Sequence, residues 1–434
     1  MSRKTAKVAY IMSRFPKLTE TFILYEILAI RKLGLEVEIY PLLRERQPVA
    51  HKEALELAEE AHFEPFFSVE ILQAQWRFIR CCPAKYFGVL FEVFGGTFGS
   101  LNFFFGAIGI FAKSVKFAQD MAKTGVTHVH AHFATHPALA ALIIHRLTGI
   151  PFSFTAHGSD LHVERRMLDR KVAASAFTVT ISAYNKEMMV AESGETFRDK
   201  IHVVHCGVEP DIFAFTPEKN NERFQIVCVA SFEEVKGHKY LIEGCRLLAE
   251  RGYVFDCHLV GDGPVQAKVE QQIVESGLAG CFHLHGGLPR EQVLAILARA
   301  DVKVLASVRT KNGKREGIPV VLMEAMACGM PVVVSKISGI PELVDDLKAG
   351  ILVQPGDAVG FADALQKLAD DRKLRIEMGT CGRKKIVDEF NLHKSAVQLH
   401  DLFLNFNGRA NGMGQRKALS GDLNPAVVTA QART

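Results

Sequence analysis

The sequence predicts an α/β protein of two Rossmann-like, doubly wound domains that face each other across a cleft. Three observations carry that expectation. The chain has 434 residues, too many for one core of ordinary size and suited to two. Short apolar runs alternate with helical patterns along most of it, as parallel strands covered on both faces require. The alternation occurs twice and breaks between 205 and 222, where Gly207, Pro210 and Pro217 interrupt it.

The first half opens with an apolar strand over 7–12, a loop, a helix over 20–33 closed by Gly34, and a strand over 36–40. That is the β-loop-α-β start of a doubly wound sheet. The pattern resumes with a strand over 127–131, a helix over 137–147 and a strand over 151–155. A strand over 176–181 follows, with Ser182 placed to cap the next helix, and 201–204 is the last strand of this half. The second half places strands over 225–230, 254–260, 282–285, 302–305, 331–334 and 351–353. Its helices fall over 238–250, 265–276, 290–298, 318–328 and 357–370, and Gly252, Gly277 and Gly329 stand where helices end. The chain thus divides into an N-terminal domain over 1–207 and a C-terminal domain over 208–390. A helix over 391–407 returns to the N-terminal domain. The polar tail over 408–434 lacks an apolar face and is expected to be disordered.

An insertion over about 61–118 breaks the rhythm. Within it, 87–112 carries one charge, Glu92, among six glycines. A bilayer span takes about 20 apolar residues, but a span here would put two parts of one sheet on opposite sides of a membrane. Two readings stay open. One is an aromatic helical insertion packed on its own domain. The other is a surface that dips into lipid, with Trp76, Phe103, Phe104 and Phe105 as anchors and Lys85, Lys113 and Lys116 near headgroups.

Composition narrows the function classes. A hydrophobic share of 48% with 23% charged residues is that of a soluble globular protein. A net charge of +4 does not argue for nucleic acid, and suits anionic ligands such as diphosphates and acidic lipid surfaces. The nine cysteines include no CxxC pair, and the adjacent Cys81 and Cys82 suit neither zinc nor a disulfide framework, so reduced cytoplasmic thiols are expected. The first twelve residues contain no long apolar stretch, and no signal peptide is expected.

The strongest local signal is Glu316-Gly317-Ile318-Pro319-Val320-Val321-Leu322-Met323-Glu324-Ala325. Gly317 leaves the backbone open to a ligand, and Pro319 suits a first helical turn. A helix starting here aims free N–H groups and its dipole at one point, which is a diphosphate site. Glu324 returns to the same face about 10 Å along the axis, where a carboxylate can accept from a ribose diol. Glu316, at the mouth, is left for the sugar side. Spacing alone also fits two solvated glutamates on a helix surface.

The run 316–327, EGIPVVLMEAMA, resembles the Glu-x7-Glu signature of the family 4 retaining glycosyltransferases. Val260-Gly261-Asp262-Gly263-Pro264 resembles that family's GDGP turn, and Val235-Lys236-Gly237-His238 its KG turn. His205-Cys206-Gly207-Val208 through Phe213 resembles its interdomain hinge. Pro331-Val332-Val333 and Gly339-Ile340-Pro341-Glu342 follow in order. In the first half, Ser13-Arg14-Phe15-Pro16 with Thr19-Glu20-Thr21-Phe22, and Phe154-Thr155-Ala156-His157-Gly158-Ser159-Asp160, resemble the colanic-acid and exopolysaccharide branch. The resemblance covers roughly 7–395 and is weakest across the insertion.

The resemblance implies the GT-B fold and a set of roles. Glu324 would hold the ribose. Glu316 with the backbone at Gly317, Ile318, Pro319 and Val320 would hold sugar hydroxyls and phosphate. Lys236 would neutralise the departing diphosphate, Ser231 and Gly261 would line the donor side, and the chain near His285 would meet the base. His157 would contact the donor sugar near the reacting carbon, although a core histidine is its plainer reading. Ser13, Arg14, Thr19, Glu20, Thr21, His130 and His132 are acceptor-side candidates. The spacing of His130 and His132 also invites a metal reading, but without an acidic partner nearby no metal is expected. One departure stands out: the family often has an arginine where this chain has Ser231, so the diphosphate rests on Lys236 or borrows charge from Arg309, Lys311, Lys314 and Arg315.

The expected activity is retaining transfer of a sugar from a nucleotide-diphosphate sugar, UDP- or GDP-linked, used as co-substrate without a further cofactor. The acceptor would be a glycan, polyprenyl-diphosphate-linked, presented at an inner-membrane surface. The protein would be cytoplasmic, peripheral on the cytoplasmic face. Two other classes compete: a nucleotide-sugar epimerase of the same fold, and a non-catalytic nucleotide-sugar-binding subunit.

Overall fold

Six parallel strands form the first sheet in the computed structural model, which describes residues 6–17, 20–45 and 52–418. The elements run β1 (Lys7–Phe15), α1 (Thr21–Lys32), β2 (Glu36–Arg44), α2 (Lys52–Glu60), α3 (Val69–Cys81), α4 (Pro83–Thr97), α5 (Leu101–Thr124), β3 (His128–His132), α6 (His136–Thr148) and β4 (Phe152–Ala156). They continue with α7 (Ser159–His162), α8 (Leu168–Ala174), β5 (Phe177–Thr180), α9 (Ala183–Ser193) and β6 (Ile201–Val203). The spatial order is β2-β1-β3-β4-β5-β6. Every residue of β3, β4 and β5 is buried, as expected of parallel strands with helices on both faces. β1 and β2 extend beyond their expected ends because they pair with each other from Lys7↔Glu36 to Phe15↔Arg44. That pairing is long-range, and no local apolar run announces it.

The second sheet is also six-stranded and parallel, in the order β12-β11-β10-β7-β8-β9. Its elements are β7 (Phe224–Val229), α10 (His238–Glu250), β8 (Phe255–Val260), α11 (Gln266–Glu275), β9 (Phe282–Leu284), α12 (Arg290–Leu297) and β10 (Val302–Leu305). Then come α13 (Val320–Ala327), β11 (Val332–Ser335), α14 (Ile340–Leu343), β12 (Gly350–Val353), α15 (Ala358–Asp370) and α16 (Arg372–Glu389). This is the Rossmann strand order, with its reversal between β7 and β10. The first sheet has the flavodoxin-like order, with its reversal between β1 and β3.

The chain crosses between the domains twice at one place: Val208 N–H donates to the Phe390 carbonyl at 3.0 Å and Leu392 N–H to Val208 at 2.9 Å. The closing helix α17 (Leu392–Ala418) then packs Ala396, Leu399 and Phe403 into the core under β1 and α1. It continues past the expected end at 407, because a helix anchored by packing propagates into residues that have no apolar face of their own. The rest of the polar tail, 419–434, lies outside the described residues.

The insertion is helical, and it ends later than expected, at Thr124 rather than about 118. The second half of α5 is core: Val115, Phe117, Ala118 and Met121 are buried against the sheet and α6. α5 is long and apolar enough to cross a membrane by composition, but half of that stretch is buried inside the protein.

Polar residues in the first sheet satisfy one another. His130 Nδ1 lies 2.8 Å from Ser153 Oγ and its Nε2 3.0 Å from Thr155 Oγ1. Burial pushes the His130 and His157 rings well below the ordinary imidazole range. The unfolded chain therefore takes up protons below about pH 6.5 that these native rings refuse, and stability falls as pH drops, by about 1.4 kcal/mol per pH unit per ring. Urea midpoints are expected to fall from about pH 7.5 to about pH 5.5. A midpoint unchanged over that interval contradicts neutral, buried rings.

Candidate active site

Ligands of open α/β sheets sit outside the carboxyl ends of the strands where the order reverses. In the second domain, the loops leaving β7 and β10 flank that point, and both carry motif residues. The first loop holds Ser231 and ends in a tight turn over Glu234–Lys236. It is pressed against the loop after β8, where Gly261 has φ +137° and a Cβ would overlap the Ala230 carbonyl oxygen, so only glycine fits. The second loop ends at Pro319, which takes the N-cap position with α13 beginning at Val320. The helix thus starts two residues later than expected, since Pro319 is held extended at ψ 124°. Gly317, Ile318 and Pro319 form the approach to the helix mouth rather than its first turn.

Glu316 and Lys236 meet at this mouth. Lys236 Nζ lies 2.7 Å from Glu316 Oε1, with side chains 19% and 14% exposed. Glu324 stands further along α13, and burial raises its carboxyl, opposed by Arg290 and Lys303. Lys303 is fully buried. Its Nζ donates to the Val229 carbonyl at 3.2 Å, and burial lowers it to about 8. A second ammonium therefore sits below the turn that carries Ser231, whose hydroxyl reaches only Glu233 Oε1, at 3.3 Å. The basic loop contributes less than its charge suggests. Lys314 is paired with Glu233, Arg315 donates to the Tyr184 hydroxyl at 2.7 Å, and Arg309 and Lys311 are exposed. His285 follows β9, half-buried, with Nε2 3.0 Å from His258 Nδ1.

The first domain approaches from the opposite side. His157 directly follows β4. A Cβ on Gly317 would overlap the His157 carbonyl oxygen, and one on Gly158 would lie 3.1 Å from the Gly317 Cα. The two main chains touch here. Around this contact Glu342 accepts from Ala183 N–H at 2.8 Å and Tyr184 N–H at 2.9 Å, capping α9 from the other domain. Arg290 donates to the Tyr25 hydroxyl at 2.8 Å. Asp160 receives the N–H groups of Ala134 (2.6 Å), His157 (3.0 Å) and Gly158 (2.7 Å), and so fixes the loop.

The His157 ring lies between Phe22 and Phe133, with centroids at 4.6 and 4.8 Å. Its Nε2 is 3.0 Å from His132 Nδ1, and His132 Nε2 is 3.1 Å from Glu26 Oε1. The Tyr10 hydroxyl donates to the same carboxylate oxygen at 3.0 Å. A carboxylate only accepts, so His132 donates from Nε2 and, as a neutral ring, accepts at Nδ1 from His157 Nε2–H. The lone pair of His157 is then on Nδ1, 3.9 Å from Cys206 Sγ. Glu26 escaped the sequence reading, although it stands within the apolar stripe Ile23, Ile27 and Ile30 of α1.

The acceptor-side candidates do not form one cluster. Ser13 and Arg14 lie at the end of β1, with Arg14 exposed and paired to Glu45. Glu20 pairs with Lys17, Thr21 opens α1, and Thr19 lies outside the described residues. His130 is fully buried with both nitrogens engaged inside the sheet, which makes it structural rather than an acceptor wall. The expectation that no acid stands near the histidines is corrected by Glu26. Ligand atoms of Glu26, His130 and His132 all lie within 4.8 Å of one another. Each ring nitrogen of this cluster already has a hydrogen-bond partner, so a cation would have to displace those bonds.

Comparison with known proteins follows the same division. The family described as Glycosyltransferase Family 4 matches residues 19–212, and Glycosyl transferases group 1 matches 211–385. The putative colanic acid biosynthesis glycosyltransferase WcaL of Salmonella typhimurium is 30% identical over 91% of this chain and 99% of its own length. The amylovoran biosynthesis glycosyltransferase AmsK of Erwinia amylovora is 33% identical over 57% of this chain, and the match spans 62% of AmsK, less than two thirds of that protein. The crystal structure of Anabaena HepE in complex with UDP superposes with a TM-score of 0.68 over 92% of this chain and all of HepE, at 14% identity, a likeness of fold.

The proton order in the histidine chain is testable. Nitrogen-15 spectra are expected to place the proton of His132 and of His157 on Nε2. Glu26→Gln offers His132 an amide N–H and should reverse that order. Unchanged His157 tautomer signals in Glu26→Gln contradict a carboxylate that sets it.

Proposed function

From the premise that the chain belongs to the family 4 glycosyltransferases, in the exopolysaccharide branch, we propose that it transfers a sugar with retention from a nucleotide-diphosphate sugar to a growing, lipid-linked glycan on the cytoplasmic face of a membrane. The observation that carries this reading is the Lys236–Glu316 pair at the mouth of α13, with His157 held against the adjoining Gly317. The helix mouth offers N–H groups and positive potential to a diphosphate. Lys236 takes up charge as the diphosphate leaves, Glu316 turns to sugar hydroxyls, and Glu324 accepts from the ribose. The side near His285 receives the base, and His157 meets the sugar at the reacting carbon.

In this reading the bond from the anomeric carbon to the phosphate oxygen breaks, and a bond to the acceptor oxygen forms on the same face. The acceptor hydroxyl proton passes to the departing phosphate oxygen, so no protein nucleophile or metal is assigned. Preorganised charge and positioning supply the acceleration. UDP is the first base to try, since HepE is described in complex with UDP; GDP-sugars are the comparison.

Thermal shift with UDP- and GDP-sugars identifies the donor, because ligand bound only by the native state raises apparent stability. Glu316→Gln is expected to lower kcat about 100-fold or more while donor affinity holds, since Lys236 is freed for phosphate. Lys236→Ala should lower both by about 100-fold. Near-normal transfer by purified Glu316→Gln protein sinks the assignment, and free epimerised sugar or donor binding without turnover would favour the competing classes.

A further inference from the structure

Helices on the outside of a domain ordinarily turn an apolar stripe inward and a polar face outward. The three insertion helices are apolar on both sides. α3 buries Ile71 and Ala74 yet shows Val69, Leu72 and Trp76 to solvent. α4 buries Tyr86, Val89 and Val93 and shows Phe87 and Phe91, with Phe98 exposed just beyond its end. α5 buries Phe103, Ala107 and Ile110 and shows Leu101, Phe105 and Ile108. The outward residues recur at spacings of three, four or seven, so each forms a second stripe on its helix. The three helices pack on one another, and ring contacts of Phe104 with Phe94 and Phe98 join α4 to α5. Phe98 is 77% exposed, Leu101 78%, Phe91 72% and Trp76 62%. An apolar surface of this extent marks an interaction site.

The charges around it indicate the occupant. Arg166 donates to the carbonyls of Phe98 at 3.4 Å and Gly99 at 3.0 Å beside the turn that joins α4 to α5, and its half-exposed guanidinium, for which a lipid phosphate would compete, also lies 3.5 Å from the Glu164 carboxylate. Arg77, Arg80 and Lys85 are exposed on α3 and α4. Glu92 is held by Arg146 through two bonds of 3.1 Å. Exposed aromatic rings with a basic rim fit the boundary between acyl chains and anionic headgroups. We propose that this face docks on an anionic phospholipid bilayer, with Phe98 and Leu101 entering first and Arg166 meeting phosphate. α5 does not span, because its second half is packed in the core. Of the anchors expected from sequence, Trp76, Phe105 and Lys85 are exposed on this face, whereas three others are not available. Phe103 is buried against His136, Lys113 donates to the Leu42 carbonyl inside the protein, and Lys116 is paired with Glu64 and Asp120.

The inference deepens the lipid-linked acceptor reading and rests on it for its purpose. Segment 158–167 joins the cleft at His157 to Arg166 and to Met167, which lies against Gly96 of α4. A chain docked at the α4–α5 turn is thus tied to the cleft through these ten residues.

Flotation of the full chain with phosphatidylcholine vesicles, with and without phosphatidylglycerol, tests it. The chain contains one tryptophan, Trp76, as an internal reporter. Binding is expected with phosphatidylglycerol, weaker at high salt, with a blue shift of Trp76 emission and quenching by brominated lipid. The variant F98S/L101S/F105S should bind about tenfold less while its donor-induced thermal shift is unchanged. Absence of flotation overturns the proposal, as does flotation without change at Trp76. A dimer that the triple variant converts to monomer overturns it in favour of a second copy on this face. An unsubstituted chain that binds donor but does not float fails this inference alone, and an unsubstituted chain that floats but binds no donor fails the functional reading alone.

Discussion

At Gly317 the main chain of one domain lies against the main chain of the other, with no room for a Cβ beside the His157 carbonyl oxygen. That approach fixes the rest of the site. Glu316 precedes it and reaches Lys236; His157 precedes Gly158 on the facing chain and reaches His132. The contacts around it, the Glu342 cap on α9 and the Arg290–Tyr25 bond, are each of the size of an ordinary cap or hydrogen bond, about 1 kcal/mol. They hold the domains closed without preventing them from opening. A side chain at 317 would separate the two carboxyl edges themselves, which no such bond could offset.

Charge at the mouth of α13 is balanced within the protein itself. Lys236 and Glu316 neutralise each other where both are largely removed from water, and in the proposed reading an arriving diphosphate competes for the lysine. In that reading the carboxylate is released toward the sugar, so that one ion pair would become two separate interactions at the reacting centre. The Ser231 hydroxyl is turned to Glu233 and carries no charge for this exchange. Lys303, buried on β10 with its ammonium at the end of β7, lies under the same turn and supplies positive potential from below, in a low dielectric where charge acts over longer distances. Lys314 is neutralised by Glu233, whereas Arg315 keeps its charge with its guanidinium held by the Tyr184 hydroxyl.

What the sequence reveals is what local pattern encodes. Strand and helix alternation, the glycine stops and the loops that bear the motifs are set within a few residues, and the strand orders place those loops at the two reversal points. Lengths set by pairing are not local, so β1 and β2 read too short. The first turn of α13 depends on the backbone that Pro319 adopts. Glu26 reads as a helix residue out of pattern, and its meaning emerges only when α1 docks over β3 and brings the carboxylate to His132. His130 and His132, two apart on one strand, look equivalent in sequence. In the sheet one is closed off by Ser153 and Thr155, and the other reaches His157.

Hydropathy alone cannot say which way an insertion that is apolar on both sides will turn. Packing decides it: the core under the sheet and α6 takes Phe111 and Phe117 and His136 of α6 covers Phe103, leaving Phe91, Phe98 and Phe105 outside. The segment between that outer face and the cleft is held at its cleft end, where Asp160 takes three main-chain N–H groups and buried Lys171 donates to the Ala134 carbonyl. At its far end Arg166 grips the turn joining α4 and α5. The ten residues 158–167 thus connect the turn of the outer face to the loop that carries His157. If the outer face docks as proposed, it is joined to the loop that carries His157 by covalent chain and buried hydrogen bonds, a connection independent of domain closure.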